Sequence, residues 1–179
     1  MRIPRTATLL LIDQQEKLMP AVHDAAGIIA RCVALMTAAR LLGVEVRATE
    51  HVPEKIGPLV PALRQGLRPA EVMVKRHFAA TSEPGLEFAG GDWLLTGAEA
   101  HVCVLQTALG LRERGKTVWL VADAAGSRRI MDRDRAFARL AAEGVRLVTT
   151  EMVLFEWLDS ADHPEFRSVL SLIKGLAAD

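Results

Sequence analysis

Apolar residues fall in short blocks along the whole chain. Runs at 7–12, 44–49, 72–74, 93–96, 117–122 and 145–149 are rich in Val, Leu or Trp and too short for helices. Their near-continuous character predicts strands buried on both faces. Helical patterns lie between them. Ile28, Cys32, Leu35, Met36 and Ala39 share one face, and Gly43 stops that helix. Val104, Leu105, Ala108 and Leu111 repeat likewise before Gly115, and Ala136, Phe137, Leu140 and Ala141 before Gly144. Residues 151–158 follow, then a stripe of Phe166, Val169, Leu170 and Ile173. Strand–helix alternation from end to end predicts an α/β fold with a parallel sheet covered by helices on both faces.

The segment 53–69 breaks the rhythm. Its prolines, Pro53, Pro58, Pro61 and Pro69, predict a loop with at most a short helix, a candidate lid or oligomer contact. With no repeat, low-complexity stretch or linker, the 179 residues read as one domain, 1–179.

Composition narrows the function. The 22 basic and 22 acidic residues balance, and no basic stripe stands out, so neither nucleic acid nor an anionic membrane is expected as a partner. The run 7–12 ends at Asp13 and is too short for a signal peptide or a membrane span. The two cysteines, Cys32 and Cys103, suit a reducing compartment, and a soluble cytoplasmic protein is expected. The near-zero charge, the high apolar fraction and the C-terminal stripe suggest a homo-oligomer, although the stripe suits packing on the sheet equally well.

Ligands of open parallel sheets bind beyond the carboxyl ends of the strands. Asp13, Glu50 with His51, Lys75, the stretch 97–103 and Asp123 follow the first five runs. An acid, an amine and a thiol therefore converge on one edge. Cys103 opens a helix, where the macrodipole and unpaired N–H groups favour thiolate and can hold an oxyanion. The same position also suits a small buried residue. Asp13 alone reads equally as a cap, and Lys75 as a snorkelling amine. Together they explain one another: the thiol needs a base, the carboxylate a cation. His101 is a rival base and Asp123 a weaker one. Cys32, mid-helix on an apolar face, reads as core. No histidine pairs at a metal-binding spacing, so no metal or other cofactor is expected.

At these residues the chain resembles the isochorismatase-like cysteine hydrolase superfamily, relatives of nicotinamidase and N-carbamoylsarcosine amidase. The resemblance rests on Leu10-Leu11-Ile12-Asp13-Gln14-Gln15, Val74-Lys75-Arg76-His77-Phe78 and Gly97-Ala98-Glu99-Ala100-His101-Val102-Cys103-Val104. Val121-Ala122-Asp123-Ala124 and Thr150-Glu151-Met152-Val153-Leu154-Phe155-Glu156 extend it over nearly the whole chain. It implies a three-layer α/β/α fold with a six-stranded sheet in the order 3-2-1-4-5-6. It implies Asp13 as base, Lys75 beside it, Cys103 as nucleophile, and a cis peptide before Glu99 that aims the N–H groups of Glu99 and Cys103 at an oxyanion. Gln15, Glu50, Phe78 and His101 are candidate pocket residues. Metal-binding members carry Asp-x-His after the second strand, where this chain has Thr49-Glu50-His51-Val52-Pro53, closest to the orphan isochorismatase-domain branch. The expected activity is hydrolysis of a small amide-type substrate through a thioester. A vinyl-ether hydrolase using Asp13 as acid, or a non-catalytic interaction module, are the alternatives.

Overall fold

The computed structural model describes residues 1–176, so the last three residues of the expected domain lie outside the described residues. The six apolar runs form β1 (Thr8–Ile12), β2 (Glu45–His51), β3 (Val72–Lys75), β4 (Asp92–Ala98), β5 (Thr117–Gly126) and β6 (Arg146–Val148). All pair in parallel, in the order β3-β2-β1-β4-β5-β6. The helices are α1 (Ala25–Leu42), α2 (Pro53–Ile56), α3 (Pro61–Arg64), α4 (Leu105–Glu113), α5 (Ile130–Ala142), α6 (Thr150–Leu158) and α7 (Phe166–Gly175).

β1 shows why the strands read as unbroken apolar runs. All five of its residues are buried. Leu9 and Leu11 join a core with α1, α6 and α7, whereas Leu10 and Ile12 join a second core with α4 and α5. Each such leucine contributes roughly 1.5–3 kcal/mol by leaving water. The result is a three-layer α/β/α sandwich with β1 and β4 at its centre.

α1 is long and apolar enough to cross a bilayer by composition alone, with a mean hydropathy of 1.6. Here it is a core helix lying between the sheet and α7. Asp24 caps its start, accepting from the N–H of Gly27. Gly43 ends it at φ 72°, a left-handed conformation that glycine adopts without a Cβ clash. The C-terminal stripe packs inside the chain. Val169 is fully buried, and Phe166, Leu172 and Ile173 cover the same core as α1. This removes the stripe as an argument for assembly.

Two elements differ from the sequence reading. The segment 53–69 holds two short helices, each opened by a proline at the position that tolerates a missing N–H. β5 runs on to Gly126, past the expected end at 122, through a register shift against β4 between Leu95 and Gly97. That extension brings Ser127 to His101 at the carboxyl edge of the sheet.

Candidate active site

Strand order reverses at β1 and β4, which are adjacent although far apart in sequence. The first residue after β1 is Asp13. Its φ of 51° is left-handed, a conformation that Asp tolerates better than most residues. Its N–H donates to the carbonyl of Thr49 at 3.1 Å. Gly97 faces the same point from β4. A Cβ on it would lie 2.1 Å from the Ile12 oxygen, so only glycine permits this approach.

The Asp13 carboxylate is fully buried and doubly engaged. Oδ1 accepts from Thr49 Oγ1 at 2.6 Å, and Oδ2 lies 2.6 Å from Lys75 Nζ. Lys75 ends β3 and is likewise fully buried. Its ammonium donates to the carbonyls of His77 and Phe78, both at 3.2 Å. Glu83 secures this turn by accepting from the N–H groups of Arg76 and His77 and pairing with the His77 ring. Those donors hold the Glu83 carboxyl down to about 2. A buried ion pair offsets its desolvation only with further hydrogen bonds, and here Thr49 supplies one to Asp13 Oδ1 and two backbone carbonyls accept from the ammonium.

Cys103 approaches from β4. The sequence places it at the opening of a helix; the structure places it in a π-helical turn, Ala100–Val104, leading into α4. Only 6% of Cys103 is exposed, and its thiol lies close enough to Asp13 and Lys75 for both charges to act on it. The three residues thus meet at one point.

The expectation of a thiol acidified by a helix end does not hold. Burial, and then the Asp13 charge, push the Cys103 thiol far above its ordinary range, against the pull of Lys75. Desolvation is the largest cause, because the thiol is packed into the second core. The resting group is a neutral thiol beside an acceptor. Cys32, fully buried, is also pushed up, to about 11, by burial, while the Gln14 amide beside it acts in the opposite direction.

The remaining candidates separate. Gln15 is fully buried. Its amide accepts from the His51 N–H and donates to the carbonyls of His51 and Gly57, riveting the proline segment to β2. Glu50 likewise turns to that segment, accepting from the Leu59 N–H. Asp123 accepts from the N–H and hydroxyl of Thr150 and lies 3.7 Å from Arg31, a structural role. His101 hydrogen-bonds Ser127 at 2.9 Å, so its Nδ1 is committed away from base duty. Phe78 is half exposed, and its ring lies 5.3 Å from that of His51. Burial and Lys75 pull His51 below its ordinary value, so this half-buried imidazole is neutral at neutral pH. Among the described residues no group of three His, Cys, Asp or Glu is placed to hold a metal ion.

Thr49 and Ser127 were missed from sequence. Thr49 could have been found from the parallel register, which sets it beside Ile12 and hence next to Asp13. Ser127 had no signal, because the alanines before it concealed the reach of β5.

Known proteins are similar to this chain in sequence and fold. The isochorismatase domain profile matches residues 7–152. Isochorismatase domain-containing protein 2A of Mus musculus is 36% identical over 177 residues, covering 96% of this chain and 84% of its own. A solved structure described as MAR1 ribonuclease from Caenorhabditis elegans superimposes with a TM-score of 0.92 at 36% identity, covering 100% of this chain and 95% of that one. The YcaC gene product of Escherichia coli, described as an octameric hydrolase of unknown specificity, shares the fold with a TM-score of 0.76 at 23% identity, covering 99% and 98%. With a domain match spanning most of its length and relatives 36% identical across it, the chain belongs to the isochorismatase domain family.

Proposed function

We propose that the protein is a cysteine hydrolase that cleaves a small amide-type C–N bond through a thioester on Cys103. One observation carries this reading: the nearly buried Cys103 thiol lies within reach of both charges of the buried Asp13–Lys75 pair. Asp13 takes the thiol proton as sulfur attacks the carbonyl carbon. The N–H groups of Glu99 and Cys103 hold the negative charge that forms on oxygen. As the tetrahedral species collapses, the C–N bond breaks and the proton on Asp13 goes to the departing nitrogen. Asp13 then removes a proton from water, which attacks the thioester carbonyl. The thiolate leaves and regains the proton. Lys75 keeps a positive charge beside both anions throughout and fixes the carboxylate by its own contacts to the His77 and Phe78 carbonyls. The peptide bond between Ala98 and Glu99 is cis and lies at the entry to the nucleophile turn.

Two other chemistries attach to names in this family. A vinyl-ether hydrolase would use Asp13 as acid and needs no thiol. Phosphodiester cleavage, which the C. elegans protein's description implies for that protein, calls for a cationic surface to gather phosphates. Here basic and acidic residues balance at 22 each, and Lys75 is fully buried against Asp13.

Intact-mass spectrometry after acid quench, with a panel of small primary amides and carbamoyl compounds, separates these readings. The thiol mechanism predicts an acyl adduct on Cys103 and none on Cys103→Ala. Turnover of the same substrate should fall by at least roughly 10³-fold in that variant. A Cys103→Ala protein with near-normal turnover overturns the reading.

A further inference from the structure

The nucleophile turn is tied to the rest of the molecule by two side chains that the chemistry above does not use. Glu99 immediately precedes the turn. Its carbonyl accepts from the N–H groups of Val102 and Val104 at 3.0 and 3.2 Å, so it anchors the turn's own backbone. Its carboxylate points outward from the turn and accepts from Arg128, at 2.9 Å from Nε and 3.3 Å from the backbone N–H. Two residues on, His101 Nδ1 hydrogen-bonds Ser127 Oγ at 2.9 Å. Positions 99 and 101 of the turn thus meet positions 128 and 127 of the loop between β5 and α5. The loop is held in its turn, because the Ser127 carbonyl accepts from the N–H of His23.

Burial argues that the clamps are specific. The Glu99 side chain is 10% exposed, although that of Arg128 is 59% exposed. A carboxylate drawn into a protein without necessity is costly, and an apolar residue would fill the same space more cheaply. Ser127 is 1% exposed, and its hydroxyl meets the ring of a residue two positions from the nucleophile. Asp13 and Lys75 act on the thiol from the ends of β1 and β3, elements other than the 127–128 loop.

We propose that Arg128 and Ser127 are positioning residues, whose contacts with Glu99 and His101 seat the Cys103 turn against the Asp13–Lys75 pair. Neither touches the reacting atoms. They fix where the thiol sits and where the Glu99 N–H points. This inference rests on the thiol reading of the site.

The pH profile of Cys103 alkylation tests it, read by iodoacetamide labelling with peptide mass mapping on the full chain, with thermal unfolding in parallel. The groups that set the profile are Asp13 and Lys75 at the thiol, with Glu99, Arg128 and His101 around the turn. In the seated state, burial and Asp13 hold the thiol above its ordinary range. Loosening the seat exposes the thiol and draws it from Asp13. Arg128→Ala should therefore move the apparent thiol pKa downward by about one unit, tenfold in thiolate at a given pH. The sign is diagnostic, because simple loss of a nearby cation would move it upward. Ser127→Ala changes no charge and should shift the profile the same way. Arg128→Lys should recover much of the wild-type profile. A lower melting temperature with an unshifted profile in Arg128→Ala and Ser127→Ala means a merely structural role and overturns the inference. So does an upward shift in Arg128→Ala. Wild-type protein that is never labelled at Cys103 overturns the thiol reading, and this inference with it. Labelled wild type with unshifted variants overturns the inference alone.

Discussion

The ammonium of Lys75 lies 2.6 Å from Oδ2 of Asp13, and neither side chain is exposed to solvent. The two residues end different strands, β1 and β3, which never touch; β2 separates them and lends Thr49 to the carboxylate. The pair is therefore a tertiary object, assembled only when β1, β2 and β3 have paired. Its stability and the reactivity of Cys103 are two readings of the same charges.

Asp13→Asn should divide those readings. The amide keeps the shape and removes the negative charge that pushes the Cys103 thiol up. Lys75 then faces the thiol without its counter-ion. The apparent pKa of Cys103 alkylation should fall, and labelling at neutral pH should become faster. Hydrolytic turnover should nevertheless collapse, because no group remains to carry the proton. Slower labelling in Asp13→Asn would show that Asp13 does not raise the thiol.

Lys75→Met should be costly to the fold. It leaves a buried carboxylate with no cation, a loss of about 3–5 kcal/mol in comparable pairs. The double variant Asp13→Asn with Lys75→Met should recover part of that loss, since it buries no charge. Urea unfolding of the four proteins completes the cycle. A double variant no more stable than Lys75→Met would refute the argument.

Glu83 gives a prediction on the acid side. Its carboxyl is held to about 2 by the N–H groups of Arg76 and His77 and by the His77 ring. A depressed carboxyl stabilises the folded state above its unfolded value, near 4.5, and loses that contribution as pH falls toward 2. Glu83→Gln removes the titration. Its stability deficit relative to wild type should be full at neutral pH and shrink between these two values. An unchanged deficit across that window, measured by chemical unfolding, would contradict the assignment.

The protein is expected to assemble. Phe78 and Val74, on or beside the edge strand β3, are 51% and 55% exposed, and both flank Lys75 in sequence. Large apolar residues at a sheet edge invite a partner. Light scattering at micromolar concentration should give a mass well above the 19.5 kDa of one chain. A single-chain mass would refute the expectation.

What could be read from sequence follows from what a pattern records. Asp13 and Lys75 were visible because a charge closing an apolar run is anomalous by itself. The strands were visible because helices on both sides forbid polar interruptions. Thr49 was not, since threonine is ordinary in a strand and its meaning comes from a neighbour 36 positions away. The end of β5 was hidden because Asp123 interrupts its apolar run and the alanines beyond carry no pattern. The direction of the Cys103 shift was misread, since a helix-end argument knows position but not depth. The C-terminal stripe was ambiguous for the same reason: it records that a face is covered, not by which surface.

Gly97 has a further consequence. With no side chain, its backbone lies directly on the carbonyl of Ile12, and the strands leading to Asp13 and Cys103 are clasped along five paired residues in the centre of the sheet. Central strands are the last to open, so their amides should exchange with deuterium only through global unfolding. Catalytic geometry then has no softer state of its own to pass through. As denaturant rises, thiol reactivity and native hydrogen-exchange protection in β1 and β4 should disappear together, in a single transition.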